Sequence, residues 1–138
     1  MKKTKIILLL ILLASAVIVL VLKPELLGYR LSESHNIPLG TFVSWIGIFA
    51  YAAFWYLVLP AKSSDFVLKI IERAKRINLF LAVFWGIFSY WISGNWAFTF
   101  RNNPQNFKAW IGFTALIVLL PLLLLLLAAV RRILKHRN

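Results

Sequence analysis

A chain of 138 residues that is 62% hydrophobic and only 14% charged is far more apolar than the roughly 45–50% of an ordinary soluble domain. It has no cysteine, which excludes disulfides, thiolate metal sites and cysteine nucleophiles. Its formal charge of +12 would in a soluble protein suggest nucleic acid as a partner, but in so apolar a chain the meaning depends on where the charges fall.

Four stretches contain no Asp, Glu, Lys, Arg or His: residues 6–22, 41–59, 78–98 and 109–130. At about 1.5 Å per residue each reaches across a hydrocarbon core of about 30 Å, directly or with a few interfacial residues added. Helices are expected, because a segment in lipid must satisfy its own backbone and the runs lack the alternating polarity of barrel strands. A soluble helical bundle would need a polar stripe on each helix, and none of the four has one. The expected fold is an all-α integral membrane domain covering 1–138, with four transmembrane helices.

The first stretch follows Lys2, Lys3 and Lys5 and contains Ala14-Ser15-Ala16, so it resembles a secretory signal. Val17 through Leu22 continue apolar beyond that site, which favours a retained anchor. The following segment has Pro24, Gly28, Pro38 and Gly40 around a mixed polar run and reads as a loop with one short turn. Glu33 and His35 lie in it, two residues apart. They are candidates for a metal or an acid–base pair, but an ordinary solvated loop accounts for them better.

Along the second stretch and the residue before it, Gly40, Ser44 and Gly47, continued by Tyr51, form a strip of small residues on one helix face. Between the second and third stretches, Phe66, Val67, Ile70, Ile71, Ala74 and Ile77 recur at helical spacing among Lys69, Glu72, Arg73, Lys75 and Arg76. Ser63 or Ser64 is the expected cap, and Asp65 with Lys69 and Glu72 with Arg76 are favourable four-residue pairs. Residues 63–76 are therefore expected as an amphipathic helix lying along the inner headgroups. The competing expectation is that the third crossing simply begins early.

The third stretch is the most patterned. Ala82, Gly86, Ser89, Ser93 and Ala97 are spaced by four, three, four and four, a narrow strip that lets another helix approach closely in lipid. The strip of Gly40, Ser44 and Gly47 is its expected partner. On another face Phe80, Phe84, Phe88 and Trp91 form an aromatic strip, for which lipid contact is the commoner role and a stacked sterol or quinone the rarer one. Asn95, with Ser93 and Thr99, is a candidate outer polar pocket. The run Arg101 to Asn106 reads as a tight connection, making the last two crossings an antiparallel hairpin. Pro121 predicts a kink in the fourth stretch. Trp45, Trp96 and Trp110 fall near outer boundaries, as an interfacial belt would place them.

Threaded with the N-terminus inside, the inner side holds Lys2, Lys3, Lys5, Lys62, Lys69, Arg73, Lys75, Arg76, Arg131, Arg132, Lys135 and Arg137, and the outer side only Lys23, Arg30, Arg101 and Lys108. Both ends are then expected in the cytoplasm, in a bacterial cytoplasmic (inner) membrane. The charge is a topology signal first. Lys69, Arg73, Lys75, Arg76, Arg131, Arg132, Lys135 and Arg137, the last four in the basic tail 131–138, are expected against anionic lipid, with no role for nucleic acid.

The stretches hold no histidine pair for haem, no carboxylate for proton transport and no lysine for a Schiff base. No cofactor, metal or catalytic residue is expected. The leading functional expectation is a non-enzymatic accessory, assembly or regulatory subunit, joined to a membrane protein partner through the small-residue strips. The alternative is a small homo-oligomeric transporter, channel or lipid-handling protein for a neutral or amphiphilic solute. An enzyme built on Glu33 and His35 is the third class.

Overall fold

The computed structural model describes residues 2–22, 24–32, 34, 36–59, 65–100 and 103–137, and for residues 2, 24, 27, 32 and 135–137 only the backbone. Among the described residues the fold is all-α apart from one small two-stranded ribbon. In order the elements are α1 (Lys2–Leu22), α2 (Pro24–Leu27), β1 (Arg30–Ser32), β2 (Ile37–Pro38), α3 (Leu39–Val58), α4 (Phe66–Val83), α5 (Trp85–Ser93) and α6 (Pro104–Arg137). Helices α1, α3 and α6 are each long and apolar enough to cross a membrane, and the pair α4 and α5, bent by 58°, makes a fourth if counted as one broken span.

Several boundaries differ from those the sequence suggests. Among the described residues the helix expected over 63–76 does not stand apart: one helix, α4, runs unbroken from Phe66 to Val83. The interruption falls instead at Phe84. Packing covers only part of the apolar stripe of α4: Ile71 is buried and Val67 and Ala74 pack beside it, together with buried Lys75, Asn78 and Ala82 further along, while Phe66, Ile70 and Ile77 stay exposed. The third stretch also ends early, at Ser93, because Gly94 takes the left-handed backbone (φ 73°) that closes a helix and that glycine adopts without cost. Its last expected residues, 94–98, lie outside any helix.

Local chemistry fixes the other ends. Asp65 caps α4, its carboxylate accepting from the Val67 and Leu68 amides at 2.9 and 3.3 Å; Ser63 and Ser64 lie outside the described residues. Asn103 caps α6 by accepting from the Asn106 amide at 3.1 Å, with Pro104 at the first helical position. The basic tail is a continuation of α6 rather than a separate segment. At 34 residues, α6 is about 51 Å long and exceeds a hydrocarbon core of about 30 Å. The loop after α1 is more ordered than expected: β1 and β2 pair antiparallel, Arg30 opposite Pro38.

Two buried clusters hold the bundle together. One joins Ala52, Ala82, Trp85 and Ile117; the other joins Leu59, Ile71 and Leu124. Both tie α3, the bent pair and α6 into a three-part core. Helix α1 stands outside it, packed along α3, with Ala16 as its one buried side chain among the described residues.

Candidate functional site

Helix α3 faces two ways. Trp45, Ile48 and Ala52 look toward the core, while Gly40, Ser44, Gly47 and Tyr51 lie about 100° round the helix and look toward α1. A β-carbon on Gly47 would touch Ala16 at 3.5 Å, whereas one on Gly86 would run into the Trp45 ring at 2.2 Å. The two small-residue strips therefore do not face one another as expected. Ala82 and Gly86 receive the core face of α3, Ser89 receives Trp110 of α6, and Gly40, Ser44 and Gly47 are left to α1 and to open space. The break at Phe84 also splits the second strip. Ala82 belongs to α4, Gly86, Ser89 and Ser93 to α5, and Ala97 lies past the helix end.

The open space is a cavity of about 610 Å³ between α1, α3 and α6. Leu13, Ala16, Val17 and Leu20 of α1 form one wall, Gly40, Ser44, Gly47 and Tyr51 of α3 a second, and Trp85, Phe98, Trp110 and Thr114 the third. Its size lies within the roughly 300–1,000 Å³ of ordinary ligand sites. It opens sideways because α6 packs on α3, α4 and α5, and α1 has no comparable contact with α6.

The polar atoms of the lining are few and specific. The Trp85 indole donates to the Thr114 hydroxyl at 3.0 Å, and the Tyr51 hydroxyl donates to the Val118 carbonyl at 2.8 Å. Thr41 donates to the Trp96 carbonyl at the rim. Ser44 makes no hydrogen bond to any described residue. No Asp, Glu, Lys, Arg or His is among the lining residues. Phe98 takes a left-handed backbone, φ 50°, which strains a side chain of its bulk. Its ring stands edge-on to Trp85 at 5.4 Å and tilted against Trp110 at 6.3 Å.

The candidate outer pocket of Asn95, Ser93 and Thr99 is assembled, but its polar atoms are occupied by one another. Asn95 Nδ2 donates to the Ser93 and Thr99 carbonyls at 3.0 Å, and Oδ1 accepts from the Thr99 amide and hydroxyl at 3.1 and 3.2 Å. An amide with two donors and two acceptor lone pairs has nothing left for a ligand. Asn95 is a clamp on the turn between α5 and α6.

At the opposite end, Lys69, Arg73, Arg76 and Arg132 are exposed. Lys75 is not: it is 5% exposed, with Nζ 2.7 Å from Glu72 and 4.9 Å from the centroid of the Tyr56 ring. Its expected place against lipid is corrected by this burial, which a lysine tolerates when its charge is paired. Arg76 also reaches Glu72, at 3.0 Å. Arg131 forms an ion pair with Asp65, joining the end of α6 to the start of α4. That guanidinium, helped by the two capping amides, holds the Asp65 carboxyl below its usual range. The side chains of Lys135 and Arg137 lie outside the described residues.

The aromatic strip survives the break at Phe84. Phe80 and Phe84 have centroids 4.7 Å apart, Phe84 and Phe88 6.3 Å, and Phe88 and Trp91 6.2 Å. Phe80 and Trp91 are exposed, as for a face toward lipid. Glu33 and His35 lie outside the described residues. Pro121 sits fully buried inside the continuous α6.

Sequence reasoning missed the α1 wall of the cavity and Thr114. Thr114 left a signal, as the one hydroxyl-bearing residue in the fourth stretch. Ala16, the small residue against Gly47, was legible only as part of a signal-like motif. No protein-family model matches the chain, and neither does any curated protein or solved structure.

Proposed function

We propose that this chain is a non-enzymatic, multi-pass membrane protein that handles lipid, holding a neutral or amphiphilic molecule between α1, α3 and α6. The observation that carries this reading is the cavity of about 610 Å³, lined by apolar chains, indoles and hydroxyls without an ionisable group. Such a lining disfavours ions and suits an uncharged hydrocarbon guest. The cavity is formed within a single chain, so the reading needs no oligomer.

In the same proposal the chain threads four times through a bacterial cytoplasmic membrane with both ends inside, the bent pair α4 and α5 being one crossing. The bias of lysine and arginine supports that threading. Lys69, Arg73, Arg76 and Arg132 then meet anionic headgroups.

A second reading, an accessory or assembly subunit, is supported by α1. It packs mainly along α3, with Ile7, Leu8, Ile11 and Ile18 uncovered, a flank on which a partner helix can pack. One purification separates the two. Extraction in mild detergent, followed by mass spectrometry of both lipids and proteins, is expected to show a neutral lipid enriched over bulk membrane. A lipid profile equal to bulk, with a stoichiometric protein partner, would replace the first reading by the second.

A further inference from the structure

We infer that the cavity is a site for a long-chain, uncharged lipid bearing carbonyl groups, for which the hydroxyls of Ser44 and Thr114 are the donors. This rests on the lipid-holding reading above and adds the chemistry that selects the guest.

Ser44 supplies the first half of the argument. A serine inside a helix normally returns its hydroxyl to a carbonyl one turn back, as Ser15 does to Ile11 and Ser93 to Ser89, both at 2.8 Å. Ser44 lines the cavity and does not. A hydroxyl without a partner in a water-poor site is costly, and an acceptor on the guest removes that cost.

Thr114 supplies the second half. Its oxygen already accepts the Trp85 indole N–H, so its own O–H is the free function, and that function donates. Two uncommitted donors in one largely apolar cavity call for acceptors on the guest, and uncharged carbonyl oxygens supply them without bringing a charge into the site.

Depth sets the rest of the molecule. The cavity follows α3 from Pro38 to Tyr51, about 20 Å at 1.5 Å per residue. Ser44 lies about 9 Å below Pro38 on the same scale. The guest therefore places a small uncharged head at the rim, its carbonyl beside Ser44, and a hydrocarbon tail along Leu13 and Val17. Trp85, Phe98 and Trp110 present flat surfaces beside the donors, and the backbone strain at Phe98 is retained where its ring completes that wall. Two kinds of molecule share this chemistry, a glycerolipid acyl ester and an isoprenoid quinone.

The test uses the full-length protein in detergent and two brominated probes of equal chain length, a methyl ester and an alkane, read by quenching of tryptophan fluorescence. The ester is expected to bind about tenfold more tightly, the worth of one or two such hydrogen bonds. Ser44→Ala and Thr114→Val together are expected to abolish that preference while leaving the alkane unaffected. Thr114→Val strips the acceptor from Trp85, so if the double variant fails to fold, Ser44→Ala alone carries the test. Competition with unlabelled diacylglycerol and with an isoprenoid quinone tells which source fits. Equal binding of ester and alkane, or a preference that survives in the variants, would overturn carbonyl recognition and leave the lipid cavity standing. If neither probe binds, or if Val17→Trp, which crowds the same space, changes nothing, the lipid-holding reading itself fails.

Discussion

A methyl group added to Gly86 would lie 2.2 Å from the Trp45 ring, and that ring is tethered, its indole donating to the Val83 carbonyl at 2.9 Å. Gly86→Ala should therefore destabilise the protein by about 1–3 kcal/mol, the usual cost of overpacking. Gly112, with nothing within 4 Å of the same added atom, should accept alanine neutrally or with a slight gain. Thermal unfolding in detergent compares the two. Asp65 gives a pH prediction. Its folded carboxyl is held below the ordinary value of 3.8, mainly by Arg131, so its stabilisation is complete above that value and is lost as pH falls through the lower, folded one. Arg131→Ala should unfold at lower temperature than the parent near neutrality, and the gap should close in acid. A gap that is constant with pH would mean the pair contributes nothing through Asp65.

The bend between α4 and α5 falls where a side chain of α3 meets the helix ladder. No proline is nearby, and sharp bends without proline usually mark a side chain intruding on the helix ladder. Trp45 does so by engaging the Val83 carbonyl, one residue before the break at Phe84. Trp45→Phe removes that donor, so the 58° bend should relax toward a straight helix. The chain has no cysteine, so spin labels can be placed singly at the exposed Lys69 and Trp91, and their separation should lengthen in the variant. An unchanged distance distribution would assign the bend to some other contact. Helix α6 gives the contrasting case. Pro121 denies the Ile117 carbonyl its helix donor, yet the helix continues to Arg137, and the Tyr51 hydroxyl bonds Val118 in the same turn.

Whole-molecule behaviour turns on threading. With both ends inside, single cysteines at Lys69 and Arg132 should be shielded from a membrane-impermeant thiol reagent in intact cells, and cysteines at Tyr29 and Asn103 should react. Reaction at Lys69 with protection at Arg132, or the reverse, would break the four-crossing arrangement. The exposed flank of α1 belongs to this scale too. A bundle whose core is α3, the bent pair and α6 leaves its first helix attached along one line of contact, and that geometry creates the sideways opening of the cavity.

The composition of the chain determined that it is helical and apolar enough for lipid, since uncharged runs of such length must satisfy their own backbones. Among the local rules the four-residue pair of Glu72 with Arg76 was legible, whereas Gly94 as a stop, Asn103 with Pro104 as a start and Asp65 as the cap of α4 carried local signals that apolar continuity concealed. Only tertiary structure decided which faces meet. A helix that is apolar all round carries no periodic signal of its packed side, so Gly47 meeting Ala16, Gly86 meeting Trp45, and the burial of Lys75 follow from shape and charge pairing between segments far apart in the chain. The cavity is the extreme of this, a space defined by walls from three helices, which no single stretch of sequence could declare.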